Sequence, residues 1–141
     1  MIYSNRPFDI EAYQETKELH EDNNKETGAG IELKVDPLAL LGSAPHYFSM
    51  KEGQSIIGYA LFYIANHPHY SRLCATQDVI YVDPAFRQGF TGIKFIKYTE
   101  EVLTRMGVEL IFQSSTAGKD LSKLYKRLGY EPAETVYFKE L

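Results

Sequence analysis

The chain has 141 residues, of which 44% are hydrophobic and 24% charged, a globular composition that excludes a disordered chain. Fifteen Lys and Arg against 19 Asp and Glu give a formal net charge of −4, which disfavours general attraction to nucleic acid. No apolar run approaches the ~18 residues of a membrane-spanning helix, and a single cysteine, Cys74, excludes a disulfide framework within one chain. We therefore expect one soluble, cytoplasmic domain over residues 1–141.

The first half of the chain predicts two helices followed by three strands. Asp9 can cap a helix that runs to about Asn23, and the polar stretch over residues 21–30 ends in glycines and predicts a loop. A short helix is predicted over residues 38–41, after a proline and before a glycine. Strands are predicted over residues 46–51, 54–65 and 73–82, and the second is apolar enough to be central in a sheet.

The second half alternates helices and strands. The turn Arg87–Gly92 opens a helix that ends at Gly107, and a strand follows over residues 108–113. Apolar residues spaced as on one helix face predict a helix that ends at Gly129, and Thr135–Glu140 predicts a last strand. Because hairpin strands are followed by crossover helices, this order predicts a mixed α/β sheet.

The turn before the predicted helix combines an arginine with two glycines. A helix N-terminus offers unpaired N–H groups and partial positive charge, and Gly89 and Gly92 allow close backbone approach, so the turn suits a pyrophosphate. Many strand–helix turns carry two glycines for geometry alone, so a structural role stays open. The chain lacks both the Walker A loop and the dinucleotide fingerprint.

Two segments of the chain resemble one known family. Val82-Asp-Pro-Ala-Phe-Arg-Gln-Gly-Phe-Thr-Gly92 is similar to the acetyl-CoA signature of the GNAT N-acetyltransferase superfamily, Val-x-Pro-x-Tyr/Phe-Arg-x-x-Gly-x-Gly/Ala. Leu124-Tyr-Lys-Arg-Leu-Gly-Tyr130 resembles the later Leu-Tyr-x-x-x-Gly-Phe/Tyr segment of that family. The resemblance covers roughly residues 44–141, and the ending Glu134–Leu141 resembles compact members encoded by bacteriophages.

The resemblance implies the GNAT fold, a central mixed β-sheet with splayed parallel strands flanked by helices. Acetyl-CoA, as cosubstrate, would lie between two splayed strands, here residues 73–82 and 108–113. Main-chain groups of the first strand would contact it at Val79, Ile80, Tyr81 and Val82. Its pyrophosphate would meet N–H groups of Arg87, Gln88, Gly89, Phe90, Thr91 and Gly92.

The resemblance also implies catalytic residues for direct attack of an amine on the thioester, which needs a base for the ammonium proton and an acid for the thiolate. Tyr125 matches the family's acid, although its place on an apolar helix face is also typical of a core residue. Asp78 is the candidate base, with a structural or capping role as the alternative. Lys119 or Lys123 could meet the 3′-phosphate of CoA, and Glu134 is a weaker candidate for acceptor recognition.

The chain departs from the family pattern at two positions. Phe90 stands where the family usually has its penultimate glycine, and Gly118 stands where many members have asparagine. We expect an acetyltransferase that acts on a primary amine of a small molecule or protein, and the departures favour the alternative of an inactive GNAT-fold protein that binds a partner. The expected partners are acetyl-CoA and an amine acceptor, without nucleic acid, membrane or metal, and a homodimer stays open.

Overall fold

The computed structural model describes residues 1–27, 30–32 and 34–141, so Gly28 and Ala29 of the predicted loop lie outside the described residues. The elements are, in chain order, β1 (Ile2–Pro7), α1 (Ile10–Thr27), α2 (Pro37–Gly42), β2 (His46–Glu52), β3 (Ser55–His67), β4 (Arg72–Val82), a 3₁₀ turn (Pro84–Phe86), α3 (Thr91–Arg105), β5 (Leu110–Phe112) and α4 (Ser122–Arg127).

The five strands form one mixed sheet in the order β1-β2-β3-β4-β5. The first four strands pair antiparallel with their neighbours, and β5 runs parallel to β4. The central position of β3 confirms the expectation drawn from its apolar sequence. The mixed α/β sheet that the order of elements predicts is also confirmed.

Helices cover both faces of this sheet. On one face, Ala12 of α1 and residues of α2 pack on a cluster that includes Phe8, Tyr47 and Tyr59. On the other face, α3 and α4 pack on a larger cluster that includes Phe48, Phe62 and Phe95. Burial of both faces explains why β3 and the second half of β4 read as continuous apolar runs.

The structure adds one strand to the predicted elements and defines where α3 begins. The sequence analysis missed β1, because Ile2–Pro7 is half polar and owes its strand geometry to backbone pairing with β2. Helix α3 begins at Thr91, inside the predicted opening turn Arg87–Gly92, because Gly89 has a φ of +64° that keeps the first half of the turn out of the helix.

The remaining differences concern where elements end and whether the predicted last strand forms. Helix α1 continues to Thr27, beyond the predicted end near Asn23, and β5 covers only Leu110–Phe112 of the predicted strand 108–113. The prediction of a last strand over Thr135–Glu140 is wrong for the single chain, since these residues pair with no strand among the described residues. In the part of the chain that the structure describes, no helix combines the length and apolarity needed to cross a membrane.

Candidate functional site

A cleft opens where β4 and β5 diverge. Their pairing consists of Cys74↔Leu110, Ala75↔Ile111 and Thr76↔Phe112. Beyond Thr76, β4 continues to Val82 and is paired on its other edge with β3, but no described strand pairs with it on the β5 side. The main-chain groups of that edge are therefore paired with no described strand, at the place where the family resemblance implies a splay, and we call the region beside them the strand cleft.

A β-bulge in β4 lies at the narrow end of the cleft. Val79 is opposite Leu61 and Gln77 is opposite Phe62, so Asp78 is the extra residue. Bulges change the direction of side chains and are frequent beside active sites. Asp78 is exposed, yet desolvation by the surrounding protein raises the pKa of its carboxyl.

On the α1 face, the bulge is linked to a histidine of α1. Burial raises the pKa of the Tyr59 phenol, and the charge of Asp78 raises it further. The Tyr59 hydroxyl is 2.8 Å from Nδ1 of His20. Burial lowers the pKa of His20 to about 4, so the ring is neutral at pH 7, and its Nε2 is buried without a hydrogen-bond partner among the described residues.

His20 also lines a cleft of about 570 Å³ formed by residues of α1 and of the segment that follows it. Tyr13 and Asn24 contribute to its wall, as do the carboxylates of Glu21 and Glu32 and the ammonium groups of two lysines. Of the residues that line this cleft, His20 contacts β3 through its hydrogen bond to the Tyr59 hydroxyl.

On the α3–α4 face, Tyr125 points at the same narrow end. Its hydroxyl donates to the carbonyl of Ser114 at 2.9 Å and lies 3.3 Å from Oε1 of Gln77. Burial raises the pKa of this phenol to about 12. Gln77 also accepts from the backbone N–H of Ser114 at 2.8 Å, so its amide crosses the gap just past the last paired residues.

The turn at the wide end of the cleft leads into the N-terminus of α3. Phe90 is the residue before the helix and gives it no side-chain cap, so the first N–H groups of α3 are available to an anion. The Phe90 ring is 68% exposed and belongs to neither hydrophobic cluster. A Cβ at Gly92 would meet nothing within 4 Å, which leaves the approach to these N–H groups open.

Arg87 is engaged by an ion-pair group that we call the Glu26 clip, formed by Glu26, Arg87 and Lys119. Arg87 donates through Nε to the carbonyl of Val82 at 2.6 Å and through one terminal nitrogen to Glu26 at 2.6 and 2.8 Å. Lys119 lies 3.5 Å from the same carboxylate. Both cations lie over the Tyr81 ring, at 5.3 and 5.4 Å from its centre.

The Glu26 clip joins the end of α1 to Arg87 on one side of the cleft mouth and to Lys119 on the other. Gly118 makes this possible because it lets the chain beside Lys119 approach the end of α1 closely. The N–H of Gly118 donates to the carbonyl of Thr27 at 2.6 Å, and a Cβ at Gly118 would collide with that carbonyl group. This close approach is the physical reason for a glycine where many members of the resembled family have asparagine. The side chain of Lys119 is 20% exposed, and desolvation together with the charge of Arg87 lowers its pKa.

The structure brings most of the predicted site residues to one cleft. Asp78 and Tyr125 flank its narrow end, the backbone of residues 79–82 forms one wall, and the turn over residues 87–92 lies at its mouth. Lys123 is exposed on α4 and Glu134 is exposed in the C-terminal segment, and neither contacts the site. The sequence analysis missed His20, Tyr59, Gln77 and Glu26, and of these only His20, a lone histidine on an acidic helix, gave a signal that could have been used.

Two histidines and the single cysteine make their contacts outside the cleft. Nε2 of His46 is 2.9 Å from the side-chain oxygen of Asn5, and the ring of His67 lies against Tyr70 in the β3–β4 loop. Cys74 is buried. Among the described residues, no group of three His, Cys, Asp or Glu side chains is arranged to hold a metal ion.

Comparison with known protein families identifies one family whose sequence model matches this chain. The sequence model of the acetyltransferase (GNAT) family matches residues 7–130, which is most of the chain. The comparison with curated proteins gives no match. None of these findings bears on the resemblance of the chain's ending to bacteriophage-encoded members, which stays a prediction.

Several solved structures share the fold at low sequence identity. A ribosomal-protein-alanine N-acetyltransferase from Brucella melitensis biovar Abortus 2308 is 13% identical, with 100% of both chains covered and a TM-score of 0.74. The aminoglycoside acetyltransferase meta-AAC0020 from an uncultured soil metagenomic sample, in complex with sisomicin, is 16% identical, with 99% of this chain and 97% of that chain covered and a TM-score of 0.73. A predicted acetyltransferase from Clostridium acetobutylicum, with acetyl-CoA, is 14% identical, with 99% and 96% covered and a TM-score of 0.70.

Proposed function

Because this chain belongs to the acetyltransferase (GNAT) family, we propose that it transfers an acetyl group from acetyl-CoA to a primary amine of a small-molecule or protein acceptor, within a ternary complex. The observation that carries the proposal is the cleft between β4 and β5, with an uncapped helix N-terminus at its mouth and Asp78 and Tyr125 at its narrow end. A structure of the same fold that was solved with acetyl-CoA supports it.

Binding of acetyl-CoA would use the two ends of the cleft differently. Its pyrophosphate would meet the N–H groups of residues 87–92, where the helix dipole of α3 favours negative charge. The positive φ of Gly89 turns the chain one position before the family's usual glycine, so the exposed Phe90 can still offer its N–H. The pantetheine arm would lie along the unpaired edge of residues 79–82. Of the two lysines proposed for the 3′-phosphate, Lys119 is the one beside the turn, since it shares the carboxylate of Glu26 with Arg87.

Asp78 is the proposed base. Its raised pKa makes the carboxylate a better proton acceptor than an ordinary aspartate, and general bases are most effective when their pKa lies near the working pH. The acceptor would approach along the α1 cleft, past His20. Once Asp78 has taken the ammonium proton, the neutral amine nitrogen attacks the thioester carbonyl to give a tetrahedral intermediate. This intermediate loses its second N–H proton to solvent as the carbon–sulfur bond breaks and the amide forms, and the phenolate left when Tyr125 protonates the thiolate regains its proton from solvent.

Tyr125 is the proposed acid for the departing thiolate. A pKa of about 12 keeps the phenol protonated at neutral pH, as an acid must be. Its hydroxyl is held at the narrow end of the cleft by the carbonyl of Ser114, on the face opposite Asp78. The two groups can therefore act on opposite sides of the reacting carbon, with the proton of Tyr125 passing to sulfur.

One observation favours a second candidate function, an inactive member that binds a partner. The side chain of Gln77 crosses from β4 to the N–H of Ser114, where it occupies a donor that faces the narrow end of the cleft. The Glu26 clip likewise holds the guanidinium of Arg87. In an enzyme, the contacts of Gln77 and Glu26 would have to break or be compatible with bound substrates, whereas a protein that only binds a partner could keep them.

Incubation with acetyl-CoA and a panel of amines, with release of the CoA thiol as the readout, separates the two functions. The panel includes aminoglycosides, polyamines and peptides with free N-termini. Thiol release that depends on one class of amine and is lost in Asp78→Asn supports the enzyme. Absence of thiol release by a folded protein that binds acetyl-CoA would favour the inactive member.

A further inference from the structure

The side-chain amide of Gln77 bridges β4 and β5 at the narrow end of the strand cleft. The paired part of these two strands ends at Thr76 and Phe112. An unbroken ladder would go on to place Ser114 opposite Asp78, but Asp78 is the extra residue of the bulge. Among the described residues, the N–H of Ser114 therefore meets a side chain rather than a strand, since it donates to Oε1 of Gln77 at 2.8 Å.

Two hydrogen-bond donors of the candidate site converge on Oε1 of Gln77. One is the N–H of Ser114, and the other is the hydroxyl of Tyr125, which lies 3.3 Å from the same oxygen. Donors that stabilise an oxyanion lie about 2.7–3.1 Å from its oxygen, so the N–H of Ser114 is at the required distance. The oxygen that fills this position belongs to a planar carbonyl group, as the oxygen of a thioester does.

The contact between Gln77 and Ser114 is weak enough to be displaced by a ligand. Gln77 is half-buried and Ser114 is exposed, so water can reach both groups when they separate. A hydrogen bond between neutral groups changes an equilibrium by only about two- to tenfold. A ligand that is already held by the turn over residues 87–92 can therefore compete with Gln77 for the N–H of Ser114.

We propose that the position now filled by Oε1 of Gln77 is the binding site of the thioester carbonyl oxygen, with the N–H of Ser114 as its donor, and that acetyl-CoA displaces Gln77 from it. This inference rests on the proposed function, since it concerns the acetyl end of the same cleft. When the amine attacks, the carbonyl oxygen becomes an oxyanion, which the N–H of Ser114 stabilises. The oxyanion's electron pair restores the C=O bond as the carbon–sulfur bond breaks.

The same position explains how Tyr125 would reach the leaving group. The thioester sulfur is bonded to the carbon that carries this oxygen, so an oxygen 3.3 Å from the Tyr125 hydroxyl brings the sulfur beside that hydroxyl as well. The proton of Tyr125 then passes to the sulfur. The side-chain carbonyl of Gln77 is thus a stand-in for the substrate carbonyl in the free chain, and it competes only with ligands that carry a carbonyl group at this point.

This competition can be measured by calorimetry with acetyl-CoA and with CoA, which lacks the carbonyl, and no acceptor is needed. The readout is the dissociation constant of CoA divided by that of acetyl-CoA, because effects on the pyrophosphate end cancel in this ratio. Gln77→Met keeps the length of the side chain and removes its acceptor, so the ratio should rise by about two- to tenfold. Gln77→Glu keeps the acceptor and gives it a charge, which strengthens its bond to Ser114, so the ratio should fall by at least about twofold.

Gln54→Met is the matched control, since Gln54 is exposed in the turn between β2 and β3, and it should keep the wild-type ratio. Circular dichroism confirms folding, and if Gln77→Met does not fold, the expected fall in Gln77→Glu still decides. An unchanged ratio in the folded Gln77 variants overturns the inference alone. A lower ratio in Gln77→Met also overturns it, because Gln77 would then contact the acetyl group itself. Failure of the wild type to bind either ligand would instead overturn the proposed function together with this inference.

Discussion

Tyr125 and Asp78 approach the same end of the strand cleft from opposite faces of the sheet. Their environments differ in a way that separates their roles. Tyr125 is buried and donates to a backbone carbonyl, so its proton is retained until stronger negative charge develops nearby. Asp78 is the extra residue of a bulge, where a carboxylate is partly desolvated and more basic than usual. Each role predicts its own kinetic change.

Tyr125→Phe removes only the hydroxyl and keeps the ring that packs with Tyr130. General acid–base groups contribute roughly 10²–10⁴-fold, and water can replace part of this, so the turnover number should fall by at least about tenfold. The Michaelis constant for acetyl-CoA should change little, because the phenol acts on charge that appears only in the transition state. Steady-state kinetics measures the turnover number and the Michaelis constant, and circular dichroism confirms that the variant is folded. Wild-type turnover in Tyr125→Phe would mean that Tyr125 is a core residue without a catalytic role.

Asp78→Asn tests the base through the pH profile. The base works only when deprotonated, so activity falls as the pH drops through its pKa, and the raised pKa places this fall at a higher pH than for an ordinary carboxyl. The variant should lose about 10²-fold or more in kcat/KM together with the acidic limb of the profile. Glu101→Gln, an exposed change on α3, is the control, and an acidic limb that persists in Asp78→Asn contradicts the assignment.

At the scale of elements, the turn into α3 and the end of α1 control the mouth of the cleft. Gly92→Asp adds a negative charge beside the N–H groups proposed for the pyrophosphate. Because a Cβ there has open space, the fold should persist while binding of acetyl-CoA is lost by calorimetry. Gly42→Asp also has open space for its Cβ but lies in α2, so it should bind normally. A folded Gly92→Asp protein with unchanged affinity would mean that the phosphate site lies elsewhere.

Removal of the charge at the centre of the Glu26 clip should strengthen acetyl-CoA binding, in contrast to Gly92→Asp. Glu26→Gln keeps the shape of the side chain and removes the charge that Arg87 and Lys119 share. Ion pairs at this degree of exposure are worth about 0.2–1 kcal/mol, so the freed cations should tighten acetyl-CoA binding by up to about fivefold, and added salt should reduce the gain. Glu18→Gln, exposed on the same helix, should have no effect. Weaker binding by Glu26→Gln would instead show that the clip supports the site.

The sequence predicted elements whose signal is local. The apolar run of β3, the glycine that ends α4 and the turn over residues 87–92 are all visible in short windows of sequence. Missed features depend on distant partners. β1 is a strand because β2 pairs with it, the role of Gly118 depends on the carbonyl of Thr27, and the link from Asp78 through Tyr59 to His20 depends on a bulge and on helix packing. Thr135–Glu140 has strand propensity but no partner strand within its own chain.

At the scale of the whole molecule, the proposal assigns the two substrates to different helical layers. The α3–α4 layer carries the helix N-terminus and Tyr125 that are proposed for acetyl-CoA, whereas α1 lines the cleft at His20 that is proposed for the acceptor. The sheet between them is continuous except where β4 and β5 part. In the proposed ternary complex, the contacts that Gln77 and Glu26 make in the free chain would be exchanged for contacts with the substrates.

Titration of the chain with acetyl-CoA by isothermal calorimetry tests the central claim most directly. The predicted result is saturable binding of one acetyl-CoA per chain, lost in Gly92→Asp and kept in Gly42→Asp. Ligand at about 100 times its dissociation constant should also add about 2.7 kcal/mol to the free energy of unfolding. The absence of saturable heat up to about 1 mM acetyl-CoA with a folded protein would contradict the claim and leave the cleft without its proposed ligand.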